Sequence, residues 1–284
     1  MTFIEETVTT SDGLRLYARR HEVEGALGEV VIVHGFGEHS GRYGPLSDHL
    51  IKHHYSVTSY DHRGHGLSDG IPGHVESFGE YENDLDCVIA GVRARADSRR
   101  LFLIGHSMGG LIVLRYLAKT THAFAGAVLS APLLGVAVQV PAHKMMIARV
   151  GARFVPRMRL GNEIDPGVLS RDPEVGRAYT ADPLVNRMVS MKWFSEAKLA
   201  MEEAISWASN VEIPVLVMHG TSDKLADCET TKKVFEDLGS ADKELVIYEG
   251  YYHELFNEPE KHEIFERVSE WLERRASQIG TPVH

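Results

Sequence analysis

Short, nearly continuous apolar runs recur along the chain and alternate with segments of helical periodicity. A strand that is covered on both faces carries few polar residues, so these runs predict strands of a mostly parallel sheet. The predicted strands are residues 29–34, 55–60, 101–106, 124–130, 214–219 and 244–249. The predicted helices are residues 42–53, 78–97, 108–119, 228–238 and 260–277. This alternation predicts a doubly wound α/β fold with right-handed crossovers.

Two segments depart from the alternation. Residues 5–10 and 14–19 flank the turn Ser11-Asp12-Gly13 and predict an antiparallel hairpin at the edge of the sheet. Residues 132–208 are rich in Met, Arg, Pro and Gly and contain helical pieces but no strand pattern. We interpret this segment as a helical cap over the carboxyl edge of the sheet, with residues 1–131 and 209–284 forming the core.

Composition and charge exclude several classes of protein. A hydrophobic fraction of 43% and a charged fraction of 25% are typical of a soluble globular chain. The net charge of −10 argues against a nucleic-acid partner. No apolar run is long enough to span a membrane, and no secretory pattern opens the chain. Cys87 and Cys228 lie far apart in the sequence, which favours a reducing compartment. We therefore expect a cytoplasmic protein.

A pentapeptide of the G-x-S-x-G type is the strongest candidate for chemistry, and its sequence is Gly105-His106-Ser107-Met108-Gly109. It follows the predicted strand at 101–106 and opens the predicted helix at 108–119. The glycines relieve the crowding of such a sharp turn, which would present the Ser107 hydroxyl at the end of the sheet. The sequence therefore predicts Ser107 as a nucleophile.

A nucleophilic serine needs a base, and the base needs an orienting acid. Asp223 and His253 each follow the carboxyl end of a predicted strand, where ligands bind in open α/β sheets. Their order after Ser107 is the order found in enzymes with this serine turn. The chain has 16 histidines, so position rather than residue type selects His253. Asp227 and Asp237 compete with Asp223, and we interpret Asp227 as a helix cap or a solvated residue.

A tetrahedral intermediate also needs two donors for its oxyanion. We predict that they are the backbone amides of Met108, which follows the nucleophile, and of Phe36, which lies in the Gly-rich loop after the first parallel strand. An ordinary strand-end turn is the alternative interpretation of that loop.

The segment Asp61-His62-Arg63-Gly64-His65-Gly66 also resembles a functional motif. We favour a structural turn, because the pair His62 and His65 has no third residue spaced to complete a metal site. We expect neither a metal nor a cofactor.

Together these motifs resemble the monoacylglycerol lipase and lysophospholipase branch of the α/β-hydrolases over nearly the whole chain. The most specific string is His34-Gly35-Phe36-Gly37-Glu38-His39-Ser40-Gly41-Arg42-Tyr43. The other strings are the segments at 61–66, 105–110, 130–132, 170–173, 182–185, 219–223 and 252–254. The resemblance implies an α/β-hydrolase fold with a helical cap. It also implies a serine esterase that releases fatty acid and glycerol from monoacylglycerols through an acyl-enzyme.

The resemblance further implies that Glu38, Arg42 and His106 bind the glycerol end of the substrate. An ion pair between Glu38 and Arg42 that only holds the loop is the alternative, and both roles are compatible. The family more often has a small residue at the position of Phe36, so this side chain is expected to narrow or reshape the acyl entrance.

The cap contributes a second expectation, concerning lipid surfaces. No Asp or Glu occurs from Ser98 to Asn162, and residues 138–159 interleave apolar side chains with cations such as Lys144 and Arg149. This pattern predicts transient docking on an anionic membrane. A lid helix packed on the core explains the same pattern.

Several rival functions remain open from the sequence. A lysophospholipase or a broad carboxylesterase is the nearest rival within the enzyme class. Peptidase, haloperoxidase and carbon–carbon hydrolase activities are more distant. Outside that class, the same fold serves as a ligand receptor with a vestigial site.

Overall fold

A mostly parallel sheet of eight strands forms the centre of the protein. The computed structural model describes residues 3–95, 100–137, 151–162 and 164–278. The strands are β1 (Ile4–Thr9), β2 (Arg15–His21), β3 (Gly28–Val33), β4 (Tyr55–Tyr60), β5 (Leu101–His106), β6 (Gly126–Ser130), β7 (Arg159–Gly161), β8 (Met188–Ser190), β9 (Val215–Gly220) and β10 (Lys243–Tyr248). Their order in the large sheet is β1-β2-β4-β3-β5-β6-β9-β10.

The direction of the strands follows the prediction. Strands β1 and β2 form an antiparallel hairpin at one edge, and β2 pairs antiparallel with β4. All other neighbours in the large sheet pair in parallel. Strands β4, β5 and β6 are buried at every position, as expected from their apolar sequences. The carboxyl ends of the parallel strands therefore meet at one edge of the sheet.

Helices cover both faces of this sheet. They are α1 (Gly44–Lys52), α2 (Gly79–Arg95), α3 (Met108–Leu117), α4 (Pro173–Ala181), α5 (Met191–Trp207), α6 (Cys228–Asp237) and α7 (Lys261–Gln278). One buried cluster joins the sheet to α2, α3, α5 and α6, and the other joins it to α1 and α7. The doubly wound α/β class is therefore confirmed. In the part of the chain that the structure describes, no helix is long and apolar enough to cross a bilayer.

One expectation for the inserted segment is wrong. We expected no strand between residues 132 and 208, yet β7 and β8 pair there in a small antiparallel sheet. Each strand has three residues, which is too short for an alternating pattern to be visible in the sequence. The limits of the core and the cap remain predictions. Residues 138–150, which include Lys144 and Arg149, lie outside the described residues.

Candidate active site

The turn that carries Ser107 is strained and tightly packed. Ser107 joins β5 to α3 with φ 51° and ψ −117°, a conformation that L-residues rarely adopt. A β-carbon on Gly109 would lie 2.0 Å from the Val33 carbonyl oxygen, and one on Gly105 would lie 2.6 Å from the Gly109 carbonyl oxygen. Only glycine fits at both positions, so the two glycines of the motif allow the turn to pack against β3.

Asp223 and His253 are hydrogen-bonded to each other. Asp223 follows β9 and His253 follows β10, and His253 Nδ1 lies 2.7 Å from Asp223 Oδ2. Burial alone would lower the pKa of His253, but the charge of Asp223 and the hydrogen bond to it outweigh burial and raise that pKa. Burial alone would raise the pKa of Asp223, yet the two neighbouring histidines, His253 and His219, lower it. This arrangement holds a carboxylate against the ring of a basic histidine.

His219 is the second histidine on this carboxylate, and sequence analysis did not select it. It is fully buried in β9, and its Nε2 lies 3.1 Å from Asp223 Oδ2 and 3.3 Å from the Ala226 carbonyl oxygen. Both neighbours are acceptors, so Nε2 carries the proton and donates it. The amides of Leu225 and Ala226 donate to Asp223 Oδ1, at 2.8 and 3.0 Å. Each carboxylate oxygen therefore has two hydrogen-bond partners.

The loop after β3 lies directly against Ser107. A β-carbon on Gly35 would lie 3.2 Å from Ser107 Cβ. Among the residues that the structure describes, the amides of Phe36 and Met108 donate to no other protein group. Both are therefore available to an oxyanion near Ser107, which is the role that the sequence predicts for them.

His34 orients one of these amides. The His62 amide donates to His34 Nε2 at 3.0 Å, which places the proton of the His34 ring on Nδ1. That Nδ1–H donates to the Gly35 carbonyl oxygen at 2.7 Å. Because the Gly35 carbonyl and the Phe36 N–H belong to one planar peptide, the bond fixes the direction of the Phe36 amide. His62 and His65 are buried and pack around His34, as expected for a structural turn.

Glu38 and Arg42 form a buried ion pair that also includes Glu254. Arg42 Nη1 donates to Glu38 Oε2 at 2.8 Å and to Glu254 Oε1 at 2.7 Å, and Nη2 donates to Glu254 Oε2 at 2.7 Å. Glu38 Oε1 accepts from the Gly35 amide and from the Tyr43 hydroxyl, both at 2.6 Å. Burial would raise the pKa of Glu38, but the Arg42 charge together with the hydrogen bonds from Tyr43 and the Gly35 amide outweighs burial and lowers that pKa. The cluster holds two carboxylates and one guanidinium, so it carries an excess of negative charge.

His106 faces the same region as a neutral acceptor. Its Nδ1 donates to the Ser130 carbonyl oxygen at 3.1 Å, which leaves Nε2 with a lone pair. Burial, together with the charge of His253, lowers the pKa of His106 to about 4. The ring centroids of the two histidines are 4.8 Å apart.

A cavity of about 570 Å³ connects these groups. Ser107, His253 and the cluster of Glu38, Arg42 and Glu254 line one part of it. The remaining wall is mainly apolar and includes Phe36, Leu133, Leu134, Ile164, Leu169, Val189, Trp193, Phe194, Met201, Ile205 and Leu225. The Phe36 ring packs on Trp193 with centroids 4.1 Å apart, so it shapes this wall as the sequence suggests. A volume of this size with few polar groups is typical of a site for a small organic ligand.

The structure thus brings all eight predicted site residues to one region. Sequence analysis did not select Glu254, His219 or His34 for roles there. Glu254 was detectable only as the neighbour of His253. Asp227 caps α6 by accepting from the Thr230 amide, which agrees with its interpretation as a capping residue.

Comparison with known proteins agrees with this architecture. The family model described as "Serine aminopeptidase, S33" matches residues 25–260. A monoacylglycerol lipase of Mycolicibacterium smegmatis is 32% identical over 246 residues, which cover 86% of this chain and 88% of the relative. The phospholipase YtpA of Bacillus subtilis is 33% identical over 240 residues, which cover 83% and 91%.

Two further proteins are similar over most of this chain. An uncharacterised abhydrolase domain-containing protein of Dictyostelium discoideum is 32% identical over 251 residues, but the match covers 26% of that longer protein and 87% of this chain. The crystal structure of a monoacylglycerol lipase from Paleococcus ferrophilus superposes with a TM-score of 0.82 at 34% identity, over 97% of this chain and 100% of the other. The chain is therefore an α/β-hydrolase of the serine aminopeptidase S33 family and a serine hydrolase.

Proposed function

We propose that the protein hydrolyses monoacylglycerols to fatty acid and glycerol. The observation that carries this proposal is the cavity of about 570 Å³, which joins Ser107 and His253 to a long apolar wall and a small polar end. An amphiphile with one acyl chain and a small polar head matches this division. The similarity to two monoacylglycerol lipases supports the same substrate class.

In the proposed mechanism, Ser107 Oγ attacks the ester carbonyl while His253 Nε2 accepts its proton. Asp223 holds the His253 ring through Nδ1 and stabilises the imidazolium that forms. The amides of Phe36 and Met108 hold the oxyanion of the tetrahedral intermediate. His253 then donates the proton to the departing glycerol oxygen. Water releases the fatty acid from Ser107 by the same steps, with His253 again acting as base.

The polar end favours a neutral head over a phosphate. Three of the five N–H groups of Arg42 already donate to Glu38 and Glu254, and these two carboxylates more than balance the guanidinium charge. At a separation of about 4 Å, one excess negative charge repels an anion by about 1–4 kcal/mol. His106 Nε2 and the carboxylate oxygens instead accept hydrogen bonds from hydroxyl groups. We therefore place glycerol, rather than a phosphoglycerol head, at this end.

A substrate panel tests the activity. Fluorophosphonate should label the wild type and spare Ser107→Ala. With equal acyl chains, we expect monoacylglycerol to exceed lysophosphatidylglycerol in kcat/KM by about 10- to 100-fold, the ratio given by about 1.4–2.7 kcal/mol. Equal kcat/KM values on every ester would instead indicate a carboxylesterase of broad specificity. Faster cleavage of the lysophospholipid, or of an aminoacyl p-nitroanilide, would replace the proposal by a lysophospholipase or a peptidase.

We also propose that the inserted segment contacts lipid surfaces transiently. The described part of the predicted docking region exposes Phe154 at 74%, Val155 at 47% and Met158 at 49%. Arg153, Arg157 and Arg159 are exposed beside them. Apolar side chains among cations are typical of a helix or loop that binds anionic lipid.

Vesicle sedimentation tests this contact. The wild type should bind vesicles that contain phosphatidylglycerol, and binding should weaken as salt rises. Phe154→Ser should bind more weakly, whereas Leu67→Ser is the matched control because Leu67 is 56% exposed and lies outside the inserted segment. Equal binding by both variants, or binding that is insensitive to salt, would contradict the contact.

A further inference from the structure

Two helices on the face opposite α2 and α3 bring a pair of histidines to one carboxylate. His49 lies in the last turn of α1 and His53 caps its end, so the two are one helical turn apart. Their rings stack with centroids 4.3 Å apart. Glu266 projects from α7, and its carboxylate lies 4.0 Å from His49 Nδ1 and 3.7 Å from His53 Nε2.

The proton on His49 can be placed from its neighbour on α7. The Ser269 hydroxyl donates to the Glu266 carbonyl oxygen at 3.1 Å, so its oxygen accepts from His49 Nε2, also at 3.1 Å. His49 Nε2 therefore carries the proton of the neutral ring. Its Nδ1 then presents a lone pair to the Glu266 carboxylate.

The proton on His53 follows by the same reasoning. His53 Nδ1 lies 3.0 Å from Glu273 Oε1, which can only accept as a carboxylate. Nδ1 therefore donates, and Nε2 of the neutral ring presents its lone pair to Glu266. The lone pairs of His49 and His53 and the carboxylate of Glu266 thus face one another with no proton between them. A bound cation would give these three acceptors a common partner.

We propose that His49 Nδ1, His53 Nε2 and Glu266 bind a divalent transition-metal ion of the zinc class. Two imidazoles and a carboxylate are ligands that Zn²⁺ accepts, with water in the fourth position. The ligand atoms lie within 4.8 Å of one another. A tetrahedral ion needs them about 3.3 Å apart. The Glu266 side chain is 57% exposed, so it is free to rotate toward the two rings.

The outer contacts support a metal site over a chance ion pair. Each ring nitrogen that faces away from Glu266 is held by a second group, Ser269 for His49 and Glu273 for His53. Such contacts fix the ring orientation and the tautomer of metal-binding histidines. The site gives no signal in the sequence, because the histidines and the carboxylate are more than 200 residues apart. A bound ion would join α1 to α7.

Zinc titration of chelator-treated protein tests the proposal. We expect one saturable Zn²⁺ site in competition with a chromophoric chelator, and a rise in Tm of about 5 °C at 100 times the Kd. Glu266→Gln should lower the affinity by about 100-fold, and Glu273→Leu, which removes the acceptor of the His53 Nδ1–H, by about 10-fold through loss of ring orientation. His122→Gln is the matched control, because His122 is a surface histidine 3.6 Å from Asp86.

The exposed position of Glu266 keeps the test independent of folding, and the Tm of each variant in chelator verifies this. Co²⁺ provides a second readout, since tetrahedral nitrogen and oxygen ligands give an intense visible spectrum that Glu266→Gln should lose. The proposal is overturned if no saturable site is found. It is equally overturned if Glu266→Gln binds Zn²⁺ as tightly as the wild type and the His122→Gln control do.

Discussion

At the scale of single residues, the protonation of His253 sets the pH dependence that we propose for catalysis. His253 accepts the Ser107 proton only when its ring is neutral. Burial lowers the pKa of His253, but the charge of Asp223 and the hydrogen bond to it together outweigh burial and raise that pKa above its ordinary value. Activity should therefore fall as pH decreases through a midpoint above about 6.5. The rate of fluorophosphonate labelling as a function of pH measures this midpoint.

Asp223→Asn is the control for that profile. Without the negative charge, the pKa of His253 should fall and the acid limb should move to lower pH, while the rate drops by about 10⁴-fold. If the acid limb of the pH profile keeps its position in Asp223→Asn, then a group other than His253 titrates there.

A second prediction concerns His219. This residue contacts Asp223 and would affect the proposed reaction only through that carboxylate. His219→Phe removes the donor to Asp223 Oδ2, and a hydrogen bond to a charged group contributes about 1.5–3 kcal/mol. We expect kcat to fall by about 10-fold and the acid limb to move upward, since the less stabilised carboxylate binds the His253 proton more tightly. His219→Gln keeps a donor and should restore most of both effects. A merely structural role would leave the midpoint of the pH profile unchanged in His219→Phe.

Candidate site residues were predictable where a local motif marks them. Ser107 was selected by its five-residue context, and Asp223 and His253 by their positions after strands. Glu254 and His219 gave no such signal, because their partners are set by the fold. The Arg42–Glu254 contact spans 212 positions of sequence. No periodicity or spacing rule reaches across that distance.

At the scale of elements, we predict how the loop between β3 and α1 affects kcat. His34 Nδ1 donates to the Gly35 carbonyl oxygen and thereby fixes the direction of the Phe36 amide, a predicted oxyanion donor. His34→Phe should lower kcat by about 10- to 100-fold with little change in KM, because the oxyanion forms only in the transition state. His34→Asn offers an amide donor near the position of Nδ1 and should retain more activity. An equal rise in KM in both variants would indicate a general disturbance of the loop instead.

Element boundaries were predictable where burial is continuous. Strands β4 and β5 begin and end at the predicted residues, and α6 starts at its predicted residue after the Asp227 cap. The helix over 42–53 is shorter than predicted, because residues 40–43 form a 3₁₀ turn and α1 starts at Gly44. Strands β7 and β8 were not predicted, because they are defined only by their pairing with each other, which no local sequence pattern shows.

At the scale of the whole molecule, the inserted segment is tied to the core at the site itself. The Asn186 amide donates to the Gly37 carbonyl oxygen at 2.8 Å, which attaches the loop before β8 to the loop that carries Phe36. The Glu254 amide donates to the Leu169 carbonyl oxygen at 2.8 Å, which attaches the segment beside His253. Changes in the inserted segment can therefore reach both the predicted oxyanion donors and the predicted base.

Arg115 of α3 forms ion pairs both with the core helix α2 and with α5 of the inserted segment. It is 4% exposed in α3, two turns after Ser107, and it pairs with Glu82 of α2 and Glu203 of α5, both at 2.5 Å. Arg115→Met keeps the apolar stem but leaves Glu82, whose side chain is 8% exposed, with Lys119 as its remaining partner. Breaking a buried ion pair from one side costs about 3–5 kcal/mol, and urea unfolding should show a loss of that size.

Glu203→Gln is the control, because Glu203 is 35% exposed and should cost less than about 1 kcal/mol. Adding Glu82→Gln to Arg115→Met should recover part of the stability, since no buried charge then lacks its main partner. If Arg115→Met loses no more stability than Glu203→Gln, then the buried Arg115–Glu82 pair contributes little, and packing rather than this ion pair holds α3 against α2.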